Sequence, residues 1–555
     1  MVKKSPFDRS RKSIRPKSWR ILWRILIGKT IPQKLFRAYI VVILLGSILL
    51  YLPISLQNGY SMVLDNDCST RAYTYWDALF IGVSAITNTG LTPAVISETL
   101  TPFGQVVMII LMEFGGLGLM TIIYLIWNLF KRNNRANNLN QIIMLQSERG
   151  NEKIAGTFKS LKISVSFIIV CQICFMFLYS FWLCWMPIYN QIPVTYNGSD
   201  VSTINSLMTD GSNYIQAHHN YAYALWEGLF FTVSAINNAG FDNFKGGISI
   251  AALRNDWNII FQFMTLIQII IGGIGFPLIY DVIEKIKCKR KGQTYKLTLF
   301  SKVALISYLS VGVITAAAAF GFEFGYTGSE NALVLGSTYG TTVPIYDIAH
   351  YHEYAHEFGK NVMLNKCWAI FFNSMATRSA GVGTINQSIL APGSQWLYIV
   401  TMFIGGSPSS TAGGIRVTTL TVILLTILAK IKGRNDVVIF RRKIPEQTIR
   451  ESFIVALTAV ILVAVAGIIV FYTLFNDPQN DKYTVLQCIY ETTSAFGTVG
   501  FSMGITSYIN HFGQIILCLV MFVGQLGVSS TLLSWTKKNP KGNRVVYPEE
   551  SIRVG

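Results

Sequence analysis

The sequence predicts an all-α polytopic membrane protein, with four repeats of transmembrane helix, re-entrant pore helix, filter loop and transmembrane helix around one central pore. Three observations lead to this prediction. Only 13% of the 555 residues are charged and 51% are hydrophobic, whereas a soluble domain usually carries about a quarter charged residues. Eight apolar runs are long enough to cross a bilayer, and four shorter segments between them end alike at a glycine.

The eight apolar runs predict eight full spans. Most hold ~20 residues, the length that a helix needs to cross the hydrocarbon. Buried core helices of a soluble enzyme would not give eight runs of this length. The runs cover residues 38–54, 105–127, 161–186, 259–279, 303–324, 395–428, 452–475 and 512–535.

The net charge of +18 is concentrated in alternate connecting segments. Because cytoplasmic loops carry the excess of Lys and Arg, we expect both termini in the cytoplasm of a bacterial cell and the spans in its plasma membrane. No base-reading motif accompanies the basic segments, so we expect anionic lipid rather than nucleic acid as their partner. We predict no cleavable signal peptide, since the first span follows a long basic arm.

These patterns divide the chain into four pore repeats with basic segments between them. The repeats are expected at 38–130, 161–284, 302–430 and 451–536. The cytoplasmic segments are a basic arm at 1–37, a linker at 131–160, basic loops at 285–301 and 431–450, and a tail at 537–555.

The repeat is recognised from four heptapeptides, at residues 84–90, 234–240, 375–381 and 494–500. Each ends in glycine and carries alanine five positions earlier. The stretches before them hold about 12 residues, too few to cross the membrane, and are interpreted as re-entrant pore helices. Irregular backbone is tolerated at that depth only where it is buried in protein or lines a water-filled cavity.

Four such loops can form a cation filter, because rings of backbone carbonyls can replace the water around an ion. Glycine permits the backbone turn that this needs. No carboxylate lies in the heptapeptides, which favours a monovalent ion. The filter candidates, acting mainly through their carbonyls, are Thr87, Asn88, Thr89, Gly90, Asn238, Ala239, Gly240, Ser379, Ala380, Gly381, Thr498, Val499 and Gly500.

The second span of each repeat carries glycines. In the first, second and fourth repeats we expect these to allow close helix packing. The third is different, since its glycines and proline predict two half-helices joined by a gate loop at residues 405–416; a static kink is the alternative. The gate-loop candidates are Gly405, Gly406, Ser407, Ser409, Ser410, Thr411, Gly413, Gly414 and Arg416.

Three groups of polar residues outside these motifs are further candidates. A charge at the depth of Arg378 must find a partner or water, and we expect a structural partner. Glu113 either faces the cavity and attracts cations or pairs with a neighbouring helix. An outer loop with His350, His352, His356, Glu353 and Glu357 could bind a metal, but a solvated loop face is the favoured interpretation.

Taken together, the motifs at residues 234–242, 377–381, 494–501 and 406–415 resemble those of the TrkH/KtrB superfamily of potassium transporters, and most of all KtrB. The resemblance implies potassium uptake driven by the membrane potential, often with sodium as an activating ion, and no organic cofactor in this chain. It also implies a homodimer and a separate cytosolic nucleotide-binding ring subunit of the KtrA/TrkA type.

Two positions depart from the pattern that the resemblance implies. Gln525 lies between the glycines of the last span, where the family usually has Arg, and Glu113 replaces a residue that is more often neutral. Both differences make the pathway more negative, so we expect a weaker electrostatic barrier to cations.

Two other function classes are less consistent with the sequence. A coupled carrier of another solute would show discontinuous helices at symmetric positions of two halves, whereas we expect only one interrupted span. A membrane enzyme would need a nucleophile–base pair or metal-ligand cluster within the membrane, and all six histidines are expected in outer loops or at their edges.

Overall fold

The computed structural model describes residues 31–57, 62–64, 70–119, 121–123, 157–185, 220–244, 258–325, 362–385, 387–475, 484–528 and 531. The predicted tail, most of the basic arm and of the linker, and the histidine-rich outer loop lie outside these residues.

Four long helices correspond to the first span of each predicted repeat. Each combines span length with high mean hydropathy, and together they are the four single helices in the described residues that could cross a membrane. The predicted all-α membrane class is confirmed. The helices are α1 (Ile31–Tyr51), α5 (Thr157–Trp185), α9 (Leu299–Gly325) and α13 (Glu446–Phe475).

Four shorter helices precede the glycine loops. Two of them begin with a capping box, in which Thr74 or Thr484 exchanges hydrogen bonds with the residue three positions later. Such caps satisfy amide groups that have no partner within the helix. The short helices are α2 (Tyr75–Ile86), α6 (Tyr221–Ile236), α10 (Val362–Ala376) and α14 (Val485–Gly497).

The helices after the loops are shorter than predicted. They are α4 (Pro102–Gly116), α7 (Asn258–Gly273), α11 (Pro392–Phe403) and α15 (His511–Leu526). Gly118, Gly275 and Gly527 have positive φ angles near 85°, a conformation that an α-helix cannot contain. The prediction that only one of the eight spans is interrupted, the one after the third glycine loop, is therefore wrong.

The second and third units continue beyond their breaks. After Gly275 the chain turns by 102° into α8 (Phe276–Arg290), whose last turn is basic. In the third unit, residues 404–416 separate α11 from α12 (Val417–Ile431), which agrees with the two predicted half-helices. The remaining described elements are the short helix α3 (Ile96–Thr99), the 3-10 helices Pro53–Ser55, Gln387–Ile389 and Thr506–Tyr508, and the hairpins β1–β2 (Met62–Leu64, Thr70–Ala72) and β3–β4 (Val438–Ile439, Arg442–Lys443).

A buried carboxylate connects α8 to the start of α9. Asp281 is 4% exposed and accepts hydrogen bonds from the Tyr295 hydroxyl (3.0 Å), the Thr298 amide (3.1 Å) and the hydroxyls of Thr298 and Ser301 (both 2.7 Å). Hydrogen bonds to a charged group are stronger than neutral ones. This cluster therefore holds the bent helix against the next long helix.

Candidate filter and gate loop

The four glycines that end the heptapeptides lie next to one another in a closed ring. A methyl group added to Gly90 would lie 2.6 Å from the Ala239 carbonyl oxygen, and one added to Gly240 would lie 2.7 Å from the Cα of Gly381. One added to Gly381 would meet the carbonyl of Val499, and one added to Gly500 would meet the carbonyl of Thr89. The loops therefore follow one another around the ring in sequence order.

Backbone conformation explains why glycine stands at these positions. Gly90, Gly240, Gly381 and Gly500 have φ between 66° and 92°, a range that side chains with a Cβ resist. Glycine is thus required both by its torsion angle and by the lack of space. Gly90, Gly240 and Gly381 are also less tightly enclosed than the residues before them, since they keep some exposed surface, whereas Gly500 is buried.

The residues two positions before the glycines also have left-handed backbones. Asn88 and Asn238 have φ of 51° and 56°, and Ser379 and Thr498 have 65° and 48°. Asn adopts this region readily, but a β-branched residue does not. For Thr498 the strain is about 1–3 kcal/mol, so its surroundings must hold it in place.

Amide hydrogen bonds of the loops run back toward the pore helices. In three loops the amide of the residue before the ring glycine donates to the carbonyl of a serine in the pore helix. These hydrogen bonds run from Thr89 to Ser84, from Ala239 to Ser234 and from Val499 to Ser494, over 2.8–2.9 Å. In the third loop Ala380 donates instead to Ala376, at 3.2 Å. The amides just before the four ring glycines are therefore all bonded to carbonyls of the pore helices.

Side chains tie neighbouring loops together in two places. Asn88 Nδ2 donates to the carbonyl of Asn237 over 3.0 Å, which joins the first and second loops. Ser379 Oγ lies 2.8 Å from both the carbonyl and the hydroxyl oxygen of Thr498, which joins the third and fourth. All four of these side chains are fully buried.

The gate loop lies against the break between α7 and α8. Its Ser407 and Thr411 amides donate to the carbonyls of Gly273 (3.0 Å) and Gly272 (3.3 Å), and its Ser409 carbonyl accepts from the amide of Phe276 at 3.1 Å. The same loop therefore forms a backbone contact on each side of Gly275.

The gate loop also contacts the fourth filter loop and the helix that follows it. The Gly413 amide donates to Ser379 Oγ (3.0 Å) and Thr498 Oγ1 (2.8 Å). Gly414 donates to the carbonyl of Gly524 at 3.2 Å, and Gln525 Nε2 donates to the carbonyl of Thr411 at 3.2 Å. The structure thus brings the predicted gate loop directly against the predicted filter.

Arg416 lies at the end of the gate loop. Its guanidinium donates to the carbonyl of Ala412 and, over 3.4 Å, to the carbonyl of Gln525. Gln525 therefore touches the loop through both its side chain and its backbone, and a cationic group lies beside it although position 525 itself is neutral.

Arg378 points toward α9. It is fully buried, its guanidinium carbon lies 4.2 Å from the centroid of the Tyr308 ring, and its Nη2 lies 3.2 Å from the sulfur of Met375. A cation over an aromatic face is electrostatically favourable. The ring and the thioether are thus contacts of this charge within the described part of the chain.

Glu113 faces a helix of the next unit. Its Oε1 accepts a hydrogen bond from Gln172 Nε2 of α5 over 2.6 Å, and its side chain is only partly buried. Of the two arrangements that the sequence leaves open, the structure shows a contact with a neighbouring helix.

Four buried glutamines were not among the residues predicted from the sequence. Gln105, Gln262, Gln395 and Gln514 are 5%, 5%, 8% and 3% exposed, and each lies in the helix that follows its glycine loop. The sequence signal is a Gln ten positions before Gly115, Gly272, Gly405 or Gly524. It was detectable as a further element of the internal repeat.

Comparison with known proteins gives a consistent family. The family model described as TrkH, cation transport protein, matches residues 33–547. An uncharacterised cation transporter of Mycoplasma pneumoniae is 35% identical, over 96% of this chain and 97% of its own length. The Ktr system potassium uptake protein D of Bacillus subtilis is 27% identical, over 96% of this chain and all of its own.

A solved structure agrees with the fold. The crystal structure of the potassium transporter TrkH from Vibrio parahaemolyticus aligns with a TM-score of 0.53 over 90% of this chain and 84% of that one, at 15% identity. The chain therefore belongs to the TrkH family of cation transport proteins, which are transporters and not enzymes.

Proposed function

We propose that this protein takes up potassium across the plasma membrane through the ring of Gly90, Gly240, Gly381 and Gly500. The observation that carries the proposal is the closed ring of four left-handed glycine loops with their neighbouring amides bonded to the pore helices. Carbonyls next to the ring would replace the hydration shell of the ion. The potassium uptake named for the Bacillus subtilis relative points to the same ion.

The glycine ring, and not the number of broken helices, separates a pore from a coupled carrier. The helix after the glycine loop is interrupted in all four units, at Gly118, Gly275 and Gly527 and by the gate loop. Discontinuous helices alone would therefore suit a carrier as well. Four loops that meet around one axis at backbone distance suit an ion-sized passage instead.

The proposed gate is the loop at residues 405–416. It lies against the third and fourth filter loops and is held by hydrogen bonds to α7, α8 and α15. Uptake would require the loop to leave the pathway. Arg416 would supply positive charge at this level, where Gln525 gives none.

Further properties come from the family resemblance. We propose that the membrane potential drives uptake, that sodium activates it, and that the protein works as a homodimer with a cytosolic nucleotide-binding ring subunit. Both termini would then be cytoplasmic, and the basic end of α8 (Lys287, Lys289 and Arg290) would face the cytosolic subunit and anionic lipid headgroups.

The test is growth of a potassium-uptake-deficient bacterium at limiting potassium, with uptake of tracer rubidium measured in the same cells. Wild type should restore growth, whereas Gly240→Ser and Gly500→Ser should not, because each serine would clash with a neighbouring loop. Gly321→Ser is the matched control, since nothing lies within 4 Å of an added methyl group there.

Protein levels in the membrane are measured for every variant. Equal rescue by wild type, Gly240→Ser and Gly500→Ser would refute the filter assignment. Failure of wild type to support growth or rubidium uptake, with the protein present in the membrane, would refute potassium uptake itself.

A further inference from the structure

We propose that Glu227 is a positioning residue that sets the potassium preference of the second filter loop through a buried chain of amides. The proposal rests on the proposed function, because it concerns the ion preference of that pathway. Glu227 lies on the pore helix α6, thirteen residues before Gly240, and was not among the sequence-predicted site residues.

The chain has four members that are linked end to end. Asn243 Nδ2 donates to both carboxylate oxygens of Glu227, at 2.9 and 3.1 Å. Asn243 Oδ1 accepts from Gln105 Nε2 at 3.0 Å. Gln105 Oε1 in turn accepts from the indole Nε1 of Trp226 at 2.6 Å, which returns the chain to the residue beside Glu227.

The two ends of the chain fix the orientation of both amides. An ionised carboxylate only accepts hydrogen bonds and an indole only donates, whereas Asn and Gln side chains do both. Glu227 therefore turns the Asn243 amine toward itself, so that the Asn243 oxygen faces Gln105. Trp226 requires the Gln105 oxygen, which leaves the Gln105 amine for Asn243. Both ends impose the same order of donors and acceptors.

Burial makes this order strict. Glu227, Asn243 and Gln105 are 1%, 2% and 5% exposed, so a reversed amide could not turn to bulk water for a substitute partner. Polar groups in such surroundings are costly unless paired. The hydrogen bonds from Asn243 Nδ2 thus depend on the acceptor at Glu227.

The chain connects the filter to two different elements. Asn243 lies three residues after Gly240, in the part of the second loop that leaves the ring. Trp226 and Glu227 belong to the pore helix that enters the same loop, and Gln105 belongs to α4, the helix after the first filter loop. Glu227 therefore fixes the exit of the second loop both to its own pore helix and to the neighbouring unit.

The expected consequence concerns ion preference. The filter carbonyls must stay at the spacing that suits potassium and must not move closer together around the smaller sodium ion. The hydrogen bonds of Glu227, Asn243 and Gln105 hold the second loop in place where it leaves the ring. Glu227→Gln loses one of the two hydrogen bonds from Asn243 and the charge that strengthens them. We expect the preference for potassium over sodium to fall about tenfold, as for the loss of one hydrogen bond to a charged group.

The experiment measures the uptake of tracer rubidium and of tracer sodium, and their ratio, in cells that carry wild type, Glu227→Gln, or Glu227→Gln combined with Asn243→Asp. In the double variant the carboxylate moves to position 243, where it can still accept from Gln105 while the new amide at position 227 becomes its second donor. We expect the double variant to recover most of the preference. Glu451→Gln, an exposed carboxylate on α13, is the control.

A purely structural role would lower the amount of protein, and with it the uptake of both ions in proportion, without changing the preference. An unchanged preference in Glu227→Gln would overturn the proposal, as would a double variant no better than the single one. If Glu227→Gln does not reach the membrane, Trp226→Phe removes the donor at the other end, and a preference reduced by less than about twofold there would also overturn it. Wild type that takes up no rubidium would instead refute the proposed function.

Discussion

The hydrogen bond from Gln525 to the gate loop gives a direct test of gating. Gln525→Leu keeps a similar side-chain volume but removes the donor that reaches the carbonyl of Thr411 over 3.2 Å. Thr411 is 2% exposed, so its carbonyl would lose this partner without gaining bulk water. We expect the substitution to weaken the hold on the loop and to raise ion flux.

The size of the effect follows from two opposing terms. A buried carbonyl left without its donor costs about 1–3 kcal/mol. Among the described residues, however, Gln525 Oε1 has no hydrogen-bond partner, and leucine also removes the cost of burying that oxygen, about 1 kcal/mol. The net weakening is about 1 kcal/mol, which corresponds to about a fivefold shift in the equilibrium between held and released loop.

The assay is rubidium flux into proteoliposomes under an imposed potassium diffusion potential, at equal amounts of reconstituted protein. Gln447→Leu is the matched control, because it makes the same substitution at an exposed position of α13. Gln525→Arg should act in the opposite direction, since it adds a second positive charge beside Arg416. Unchanged flux in Gln525→Leu would refute the role of this hydrogen bond in holding the loop, and unchanged flux in Gln525→Arg would show that the side chain does not face the pathway.

Three further predictions concern the gate, the bent helix and its anchor. Deletion of Ser409 and Ser410 should raise rubidium flux if residues 405–416 obstruct the pathway, and an unchanged flux in a well-folded deletion would leave the static kink as the better interpretation. Asp281→Asn should lower the free energy of unfolding in detergent by about 2 kcal/mol through loss of charge-assisted hydrogen bonds, whereas Asp436→Asn, at an exposed ion pair, should change it by less than about 1 kcal/mol. Burial and the hydrogen bond to Asp281 raise the pKa of Tyr295 to about 12 from 10.0, so its contribution to stability should be present below pH 10 and be lost as the pH approaches 12; thermal unfolding of Tyr295→Phe should lack this alkaline component.

The positions of the long helices and the glycine loops were predictable because they depend on local composition. A run of about 20 apolar residues can satisfy its backbone in lipid only as a helix, and the ends of α5, α9 and α13 lie within six residues of the predicted runs. The gate loop was predictable for the opposite reason, since four glycines and a proline oppose a continuous helix.

The breaks after α4, α7 and α15 were not predictable by the same reasoning. A glycine that lets two helices pack closely and a glycine that ends a helix look alike within an apolar run. Gly115 and Gly116 lie within α4, and an added methyl group on either would clash with a pore-helix end, whereas Gly118 has a φ of 85°. Only the structure separates these two roles within one motif.

The chain around Glu227 was beyond the sequence for another reason. Its members at positions 105, 226, 227 and 243 belong to two predicted repeats, and no spacing rule links Gln105 to Trp226. Their partnership depends on how the first unit packs against the second. Buried glutamines at matching places in all four units were the one signal available, and it marks the positions without revealing their partners.

The contacts of Thr498 imply that the filter and the gate loop cannot move independently. Thr498 belongs to the fourth filter loop and has a left-handed backbone that a β-branched residue resists. Its hydroxyl accepts from the Gly413 amide and lies 2.8 Å from Ser379 Oγ. Any displacement of the gate loop that separates Gly413 from Thr498 must break this hydrogen bond. Among the described residues, the Thr498 hydroxyl would then keep Ser379 as its side-chain contact. Release of the loop therefore removes support from a strained filter residue, so conditions that hold the filter rigid must also favour the held position of the loop.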